Sequence, residues 1–278
     1  MSIRLTSLRA GAVALAVGGT AVAGGCAPAL TTQQEVQAGS DYSRQINAQL
    51  PILRDSYTNQ YINQLGRQIA AQADPRGIPY TFYVVNSDVV NAFSLPGGYV
   101  YINRGVIERA DNVSQLVGVM AHEISHVVER HGIQQAQRTQ NANTALSVLY
   151  GVLMRRNPGT VERAGIQVGG SAVFAGYSRT AENEADRDAI TYMIKSGYNP
   201  HGLPQFFAKM VSEQQRQPSK VEQWFSTHPG SAERVQNTTA AINATPGANN
   251  ARLVTDTREF QNFRARVRSL TPAPQDRR

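Results

Sequence analysis

The stretch DNVSQLVGVMAHEISHVVER, residues 111–130, decides what kind of protein this is. Val113, Leu116, Val117, Met120, Ile124, Val127 and Val128 recur at helical spacing, which predicts a helix over Asp111–Arg130 that Gly132 stops. His122 and His126 lie four residues apart inside it, so both imidazoles share one face and can bind one metal ion. Glu123 projects beside them, within reach of a water on that metal. Zinc lowers the pKa of such a water, and the carboxylate can take its proton during attack on a carbonyl. The competing reading is a pair of surface histidines on an amphipathic helix. The stripe of Val119, Met120, Ile124 and Val127 argues instead for a largely buried helix. Two unpartnered imidazoles there are costly without a metal or hydrogen-bond partners. One zinc ion per chain is therefore expected, with His122 and His126 as ligands and Glu123 as catalytic base.

Two histidines do not complete a catalytic zinc site, which takes three protein ligands and an open position. His131, five residues past His126, is expected to turn away and serve a structural role. The acidic run Glu182-Asn183-Glu184-Ala185-Asp186 sits on a second predicted helix, Thr180–Lys195. Glu182 and Asp186 share a face of it. Glu182 can ligate while Asp186 accepts a hydrogen bond from a ligand imidazole and fixes its tautomer. Glu184 points elsewhere, into a surface pair. The same run reads equally as an acidic first turn complementing the helix dipole, and spacing leaves both readings open.

Around this core the pattern alternates. Leu53, Tyr57, Tyr61, Leu65 and Ile69 predict a helix closed by Asp74-Pro75. Tyr80–Val85 predicts a strand. Asn91–Gly98 (NAFSLPGG) turns into a short strand, Tyr99–Ile102, whose neighbouring proline and glycines place it at a sheet edge. An exposed strand there can bind an extended peptide by strand addition, with Gly98, Tyr99 and Val100 as the contact. Residues 145–154 and 164–176 are too short to span a membrane and read as core or lid segments. A helix over Pro204–Gln217 follows. Asp256 with Glu259 predicts a capping box for a last helix carrying Phe260, Phe263, Val267 and Leu270, and the tail from Thr271 is expected to be loose.

The 278-residue chain carries a net charge of +7, which removal of Arg4 and Arg9 would bring to about +5. The remaining charge is scattered apart from Arg264, Arg266, Arg268, Arg277 and Arg278, so no nucleic-acid footprint is expected. Met1–Arg9 is positively charged and Ala10–Ala23 is a short apolar run ending just before Cys26, the single cysteine. This resembles a bacterial lipoprotein signal, with Ala23 where leucine is commonest, and implies cleavage that leaves Cys26 lipidated. Ala27 after it resembles outer-membrane sorting. Residues 27–45 are small and polar and read as a tether.

Four separated elements carry a wider resemblance: His122–His126; Tyr177–Asp186 (YSRTAENEAD); Asn91–Gly98 with Tyr99-Val100-Tyr101; and Thr227-His228-Pro229 with Arg234. Together they resemble metallopeptidase family forty-eight, which includes HtpX, BepA, LoiP and the CAAX prenyl proteases. The resemblance is greatest to the small lipoprotein-type members such as LoiP, since neither HtpX-like membrane helices nor BepA-like repeats are expected from this sequence. The resemblance implies a zincin-like α+β fold of gluzincin type, mainly helical, with a small sheet bearing an exposed edge strand beside the histidine-bearing helix. It implies Glu182 as third ligand. His228 and Arg234 are expected either to stabilise the oxyanion or, for His228, to fill zinc's open position and hold the enzyme resting. The expected division is signal peptide 1–25, tether 26–45, peptidase domain 46–240, and C-terminal helix and tail 241–278. The expected function is a zinc endopeptidase of the cell envelope acting on unfolded or misassembled polypeptides. It would be lipid-anchored at the periplasmic face of the outer membrane, or soluble in the periplasm, with the outer-membrane assembly machinery as candidate partner. The alternative is a periplasmic chaperone or assembly factor with structural zinc.

Overall fold

The computed structural model describes residues 30–140, 176–229 and 231–273. The elements run α1 (Thr32–Gln49), α2 (Ser56–Ala73), β1 (Thr81–Val85), β2 (Ala92–Leu95), β3 (Tyr99–Asn103), α3 (Arg104–Arg109), α4 (Val113–Val128) and α5 (His131–Gln140). They continue with α6 (Arg179–Lys195), α7 (Gly202–Arg216), α8 (Pro218–Thr227), α9 (Ser231–Ala244) and α10 (Arg258–Ser269). Residues 145–175 and 274–278, Cys26 and the segment expected to be a signal peptide lie outside the described residues. No helix among the described residues is long and apolar enough to cross a membrane.

The histidine helix α4 is the axis of the molecule: every residue from Val113 to Val127 is buried. A helix apolar nearly all round must be enclosed, and α2, α6, α7 and β2 pack against it. Its start is capped twice, by the Asn112 side chain accepting from Gln115 N and by Asp256 Oδ1 accepting from Val113 N at 3.1 Å. Asp256 is thus drawn away from the last helix, whose N-cap is Thr257, one residue later than the sequence suggests. The α4 C-terminus is set by Arg130, whose φ of 56° supplies the left-handed turn expected of Gly132. Arg130 holds that conformation through an ion pair to buried Glu35 at 3.0 Å, and Arg76 donates to Val127 O at 2.9 Å.

The sheet order is β1-β3-β2, with β1 parallel and β2 antiparallel to β3. Strand Tyr99–Asn103 is therefore central, which corrects its reading as the edge. Gly97 and Gly98, at φ of 79° and 89°, close a hairpin between β2 and β3, and β1 then takes the free side of β3. The edge beside α4 is β2, all four of whose residues are buried. Side chains alternate: Phe82, Val84, Ala92, Val100 and Ile102 join the main core with α2 and α4, while Val85, Phe93, Leu95 and Tyr101 face the other way.

That second face is covered by α1, where a tether was expected. Thr31 and Gln34 form a capping box, and Tyr42 and Ile46 pack on the sheet. Small residues make the close approach possible: a Cβ on Gly39 would fall 1.9 Å from Pro96 O, and Ser43 hydrogen-bonds Tyr101 at 2.8 Å. From Thr31 onward the chain forms one compact unit. It includes α10, which inserts Phe260, Phe263 and Val267 into the main core at roughly 1.5–3 kcal/mol for each large side chain. The three C-terminal arginines among the described residues are bolts rather than a free basic patch. Arg264 donates to Ala110 O at 2.7 Å, Arg268 to Glu108 O at 2.6 Å, and Arg266 pairs with Asp55 at 2.6 Å.

Candidate metal centre

Three helix-borne side chains and one from a loop converge. α4 contributes His122 and His126, α6 contributes Glu182, and the turn after α8 contributes His228, all buried. The histidines share a face because they are one turn apart. α6 lies along α4 with Ser178 as its N-cap, which puts Glu182 in its first turn facing them. His228 is placed by its backbone N–H, which donates to Trp224 O at 2.7 Å, and by the Trp224 ring, 4.6 Å from its own.

Four donor atoms face one centre. His122 Nε2 lies 3.0 Å from His126 Nε2 and 3.3 Å from His228 Nδ1. Glu182 Oε1 lies 3.4 Å from His126 Nε2 and 3.3 Å from His228 Nδ1. A tetrahedral zinc site with bonds of about 2.0–2.1 Å has ligand–ligand separations near 3.3–3.4 Å, so the donor set fits such an ion. Charge points the same way: Glu123, Glu182 and Asp186 are buried against one buried guanidinium, Arg234, and a divalent cation balances them. The residues that would hold it are His122, His126 and Glu182, with His228 as a fourth.

Asp186 sits behind His122, its Oδ1 3.0 Å from Nδ1. Arg234 clamps the acidic side, donating to both Asp186 oxygens at 2.7 and 2.6 Å and pairing with Glu182 Oε2 at 2.6 Å, with Phe207 under its guanidinium at 4.2 Å. Burial works against both carboxylates, but their surroundings win: the electrostatics of His228 and Arg234, with hydrogen bonds from His122 and His126, hold Glu182 well below its usual range, and Arg234 holds Asp186 down. Burial pushes the His126 imidazole well below its ordinary value, the neutral form a ligand needs. At His122, burial and Arg234 disfavour the charged form, yet hydrogen bonds to Asp186 and Glu182 outweigh them and hold its pKa up at about 9.

Glu123 is aimed across the site. Its Oε2 accepts from Ser94 Oγ at 3.1 Å, and its Oε1 lies 3.3 Å from His228 Nε2. Ser94 reaches it because β2 alternates Ala92 and Ser94 toward α4. Asn103 N donates to Asn91 O, so the Ala92 carbonyl points off the free edge of β2, where His228 Nε2 stands 3.3 Å away.

A family model for Peptidase family M48 matches residues 56–242. The chain belongs to peptidase family M48. It is 35% identical over 205 residues to the Beta-barrel assembly-enhancing protease of Yersinia pestis, covering 72% of this chain and 42% of that protein. The protein of the same name from Escherichia coli K12 is 34% identical over 206 residues, again 72% and 42%. Metalloprotease YcaL of Escherichia coli K12 is 28% identical over 167 residues, 58% of this chain and 61% of that one. The chain thus spans less than half the length of the first two relatives. As an M48 metallopeptidase it carries the expected His122, Glu123, His126 and Glu182 at one centre, with Asp186, His228 and Arg234 around it.

Two expected placements change. Gly98 closes the hairpin, and Tyr99 and Val100 begin the central strand rather than a free edge. His131 turns toward the site, its Nδ1 2.9 Å from His126 Nδ1, and Glu184 meets its other nitrogen at 3.3 Å. Ser94, Trp224 and Tyr177, the last stacked on His126 at 3.9 Å, were not assigned from sequence. Ser94 and Tyr177 both lie inside motifs quoted above, and alternation along β2 was the available signal for Ser94.

Proposed function

We propose that this M48 metallopeptidase is a zinc-dependent endopeptidase of the cell envelope that cuts unfolded or misassembled polypeptides, outer-membrane proteins among them. The observation that carries the reading is the buried set of His122, His126 and Glu182 with the Glu123 carboxylate beside it. Bound there, zinc supplies Lewis acidity to water and to the scissile carbonyl. Glu123 takes and returns the proton, Ser94 orients its carboxylate, Asp186 holds the His122 tautomer, and Arg234 holds Asp186 and Glu182. The guanidinium is engaged by carboxylates, which favours that positioning role over oxyanion stabilisation.

An extended substrate would pair along β2, using the outward carbonyl of Ala92. His228 occupies that carbonyl and the fourth donor position together, which supports the resting-state reading: it must move before a peptide binds. The relatives' printed name supports outer-membrane assembly as the setting, and the leader before Cys26 supports a lipid anchor on the periplasmic face of the outer membrane. Labelled palmitate should enter wild type and not Cys26→Ala. Metal analysis with casein cleavage tests the chemistry: Glu123→Gln keeps one zinc per chain and loses proteolysis. A fully active Glu123→Gln would refute the base and favour an assembly factor with structural zinc.

A further inference from the structure

Resting on the proposed reading that His122, His126 and Glu182 hold zinc, we infer that His131, supported by Glu184, is the positioning residue that fixes His126 as a ligand. His126 Nε2 faces the centre, 3.0 Å from His122 Nε2 and 3.4 Å from Glu182 Oε1. For that nitrogen to offer a lone pair, the ring proton must sit on Nδ1. His126 Nδ1 lies 2.9 Å from His131 Nδ1, and two ring nitrogens at that distance share one proton. If His126 donates it, His131 Nδ1 accepts, and the His131 proton lies on Nε2. That nitrogen faces Glu184 Oε2 at 3.3 Å, an acceptor. The reverse arrangement would put the His126 proton on Nε2, aimed at His122, and would forbid ligation. Glu184 selects between the two because a carboxylate accepts from an N–H and has nothing to offer a bare nitrogen.

The backbone makes this contact possible. On a continued helix, His131 would stand about 140° around the axis from His126. α4 stops at Val128, and the left-handed turn at Arg130 swings the start of α5 back over the His126 ring. His131 is buried, Tyr177 stacks on the opposite partner at an interplanar angle of 16°, and the Glu184 side chain, 43% exposed, ends the chain of contacts at the surface. His126 thereby receives from α5 and α6 what His122 receives from Asp186 and Arg234.

The test uses the full chain loaded with zinc alone and, separately, with cobalt alone. Zinc dissociation constants come from chelator competition, and visible spectra report the ligand field of cobalt. His131→Phe, which fills the space without an acceptor, should weaken zinc binding about 10–100-fold and alter the cobalt spectrum. His131→Asn, whose Oδ1 stands near the lost Nδ1, should restore affinity to within about threefold of wild type. Glu184→Ala, at a half-exposed position that leaves the core intact, should weaken zinc binding while the metal-free melting temperature stays at the wild-type value. Wild-type affinity and spectrum in His131→Phe, or equal losses in the Phe and Asn variants, would overturn the inference. So would wild-type affinity in Glu184→Ala should His131→Phe fail to fold. A wild-type chain that binds no zinc, or a His122→Ala chain that binds it undiminished, would instead overturn the reading of the centre itself.

Discussion

Replacing Arg234 with methionine removes the one buried cation described among three buried carboxylates. The guanidinium is 2% exposed, with contacts of 2.6–2.7 Å to Asp186 and 2.6 Å to Glu182. Methionine keeps the stem and part of the packing on Phe207 but leaves both carboxylates facing an uncharged side chain. Breaking a buried pair in this way costs about 3–5 kcal/mol. For a domain of this size that is a fall in Tm of roughly 6–20 °C. Urea unfolding at pH 7 with a chelator present isolates the effect from metal binding. Adding Asp186→Asn to the variant should cost less than the two single losses together, with a coupling of roughly 0.5–3 kcal/mol, because the stranded charge goes with its partner. Zinc should bind more weakly to Arg234→Met, since Glu182 and the Asp186–His122 contact lose their support. An unfolding free energy within about 0.5 kcal/mol of wild type, paired with a large fall in kcat, would refute the argument. The guanidinium would then belong to the reaction rather than to the carboxylates.

Three further outcomes follow from the same geometry. His228→Ala should raise basal casein cleavage if the histidine holds the enzyme resting, whereas lost activity would assign it to the reaction and an unaltered rate would remove both roles. Ser94→Ala strips one hydrogen bond from the Glu123 carboxylate and should lower kcat about tenfold, equivalent to about 1.4 kcal/mol, with KM and zinc content unchanged; an unchanged kcat would dismiss Ser94 as an orienting group. Burial raises the Asp74 pKa, but hydrogen bonds from Arg76 and Tyr80 outweigh it and leave the pKa lowered. Its stabilisation is therefore complete above the unfolded value near pH 3.9 and is lost as pH falls through the lower folded value. In urea melts across pH, wild type should exceed Asp74→Asn by a constant margin above about pH 5 and converge with it in acid; parallel profiles throughout would contradict this.

The parts of the site legible in sequence were those fixed by local periodicity. His122, Glu123 and His126 share one helical turn, and α4 is apolar enough to announce its own burial. Glu182 and Asp186 needed the likeness to a known family, because an acidic first turn has a second, ordinary explanation. What stayed hidden depended on long-range placement. Helix α1 carries few large apolar residues and binds the sheet through Ala38, Gly39 and Ser43, so its composition looked like a linker. Strand order is equally illegible, because Pro96-Gly97-Gly98 marks a hairpin without saying which strand lies beyond it. The position of His131 is not legible from helix periodicity, because a non-glycine residue at φ 56° turns the chain, held by an ion pair from a residue 95 positions earlier in the sequence.

Trp224 is the chain's single tryptophan, its ring lies against His228, and its indole nitrogen meets no hydrogen-bond partner among the described residues. On the proposal that His228 holds the enzyme resting, the protein carries its own optical probe at the side chain that would have to leave. Departure of His228 would bring water to an indole face that is otherwise dry. The shift in emission on mixing with an unfolded polypeptide would time that departure, and cleavage measured on the same clock would show whether opening or hydrolysis sets the pace.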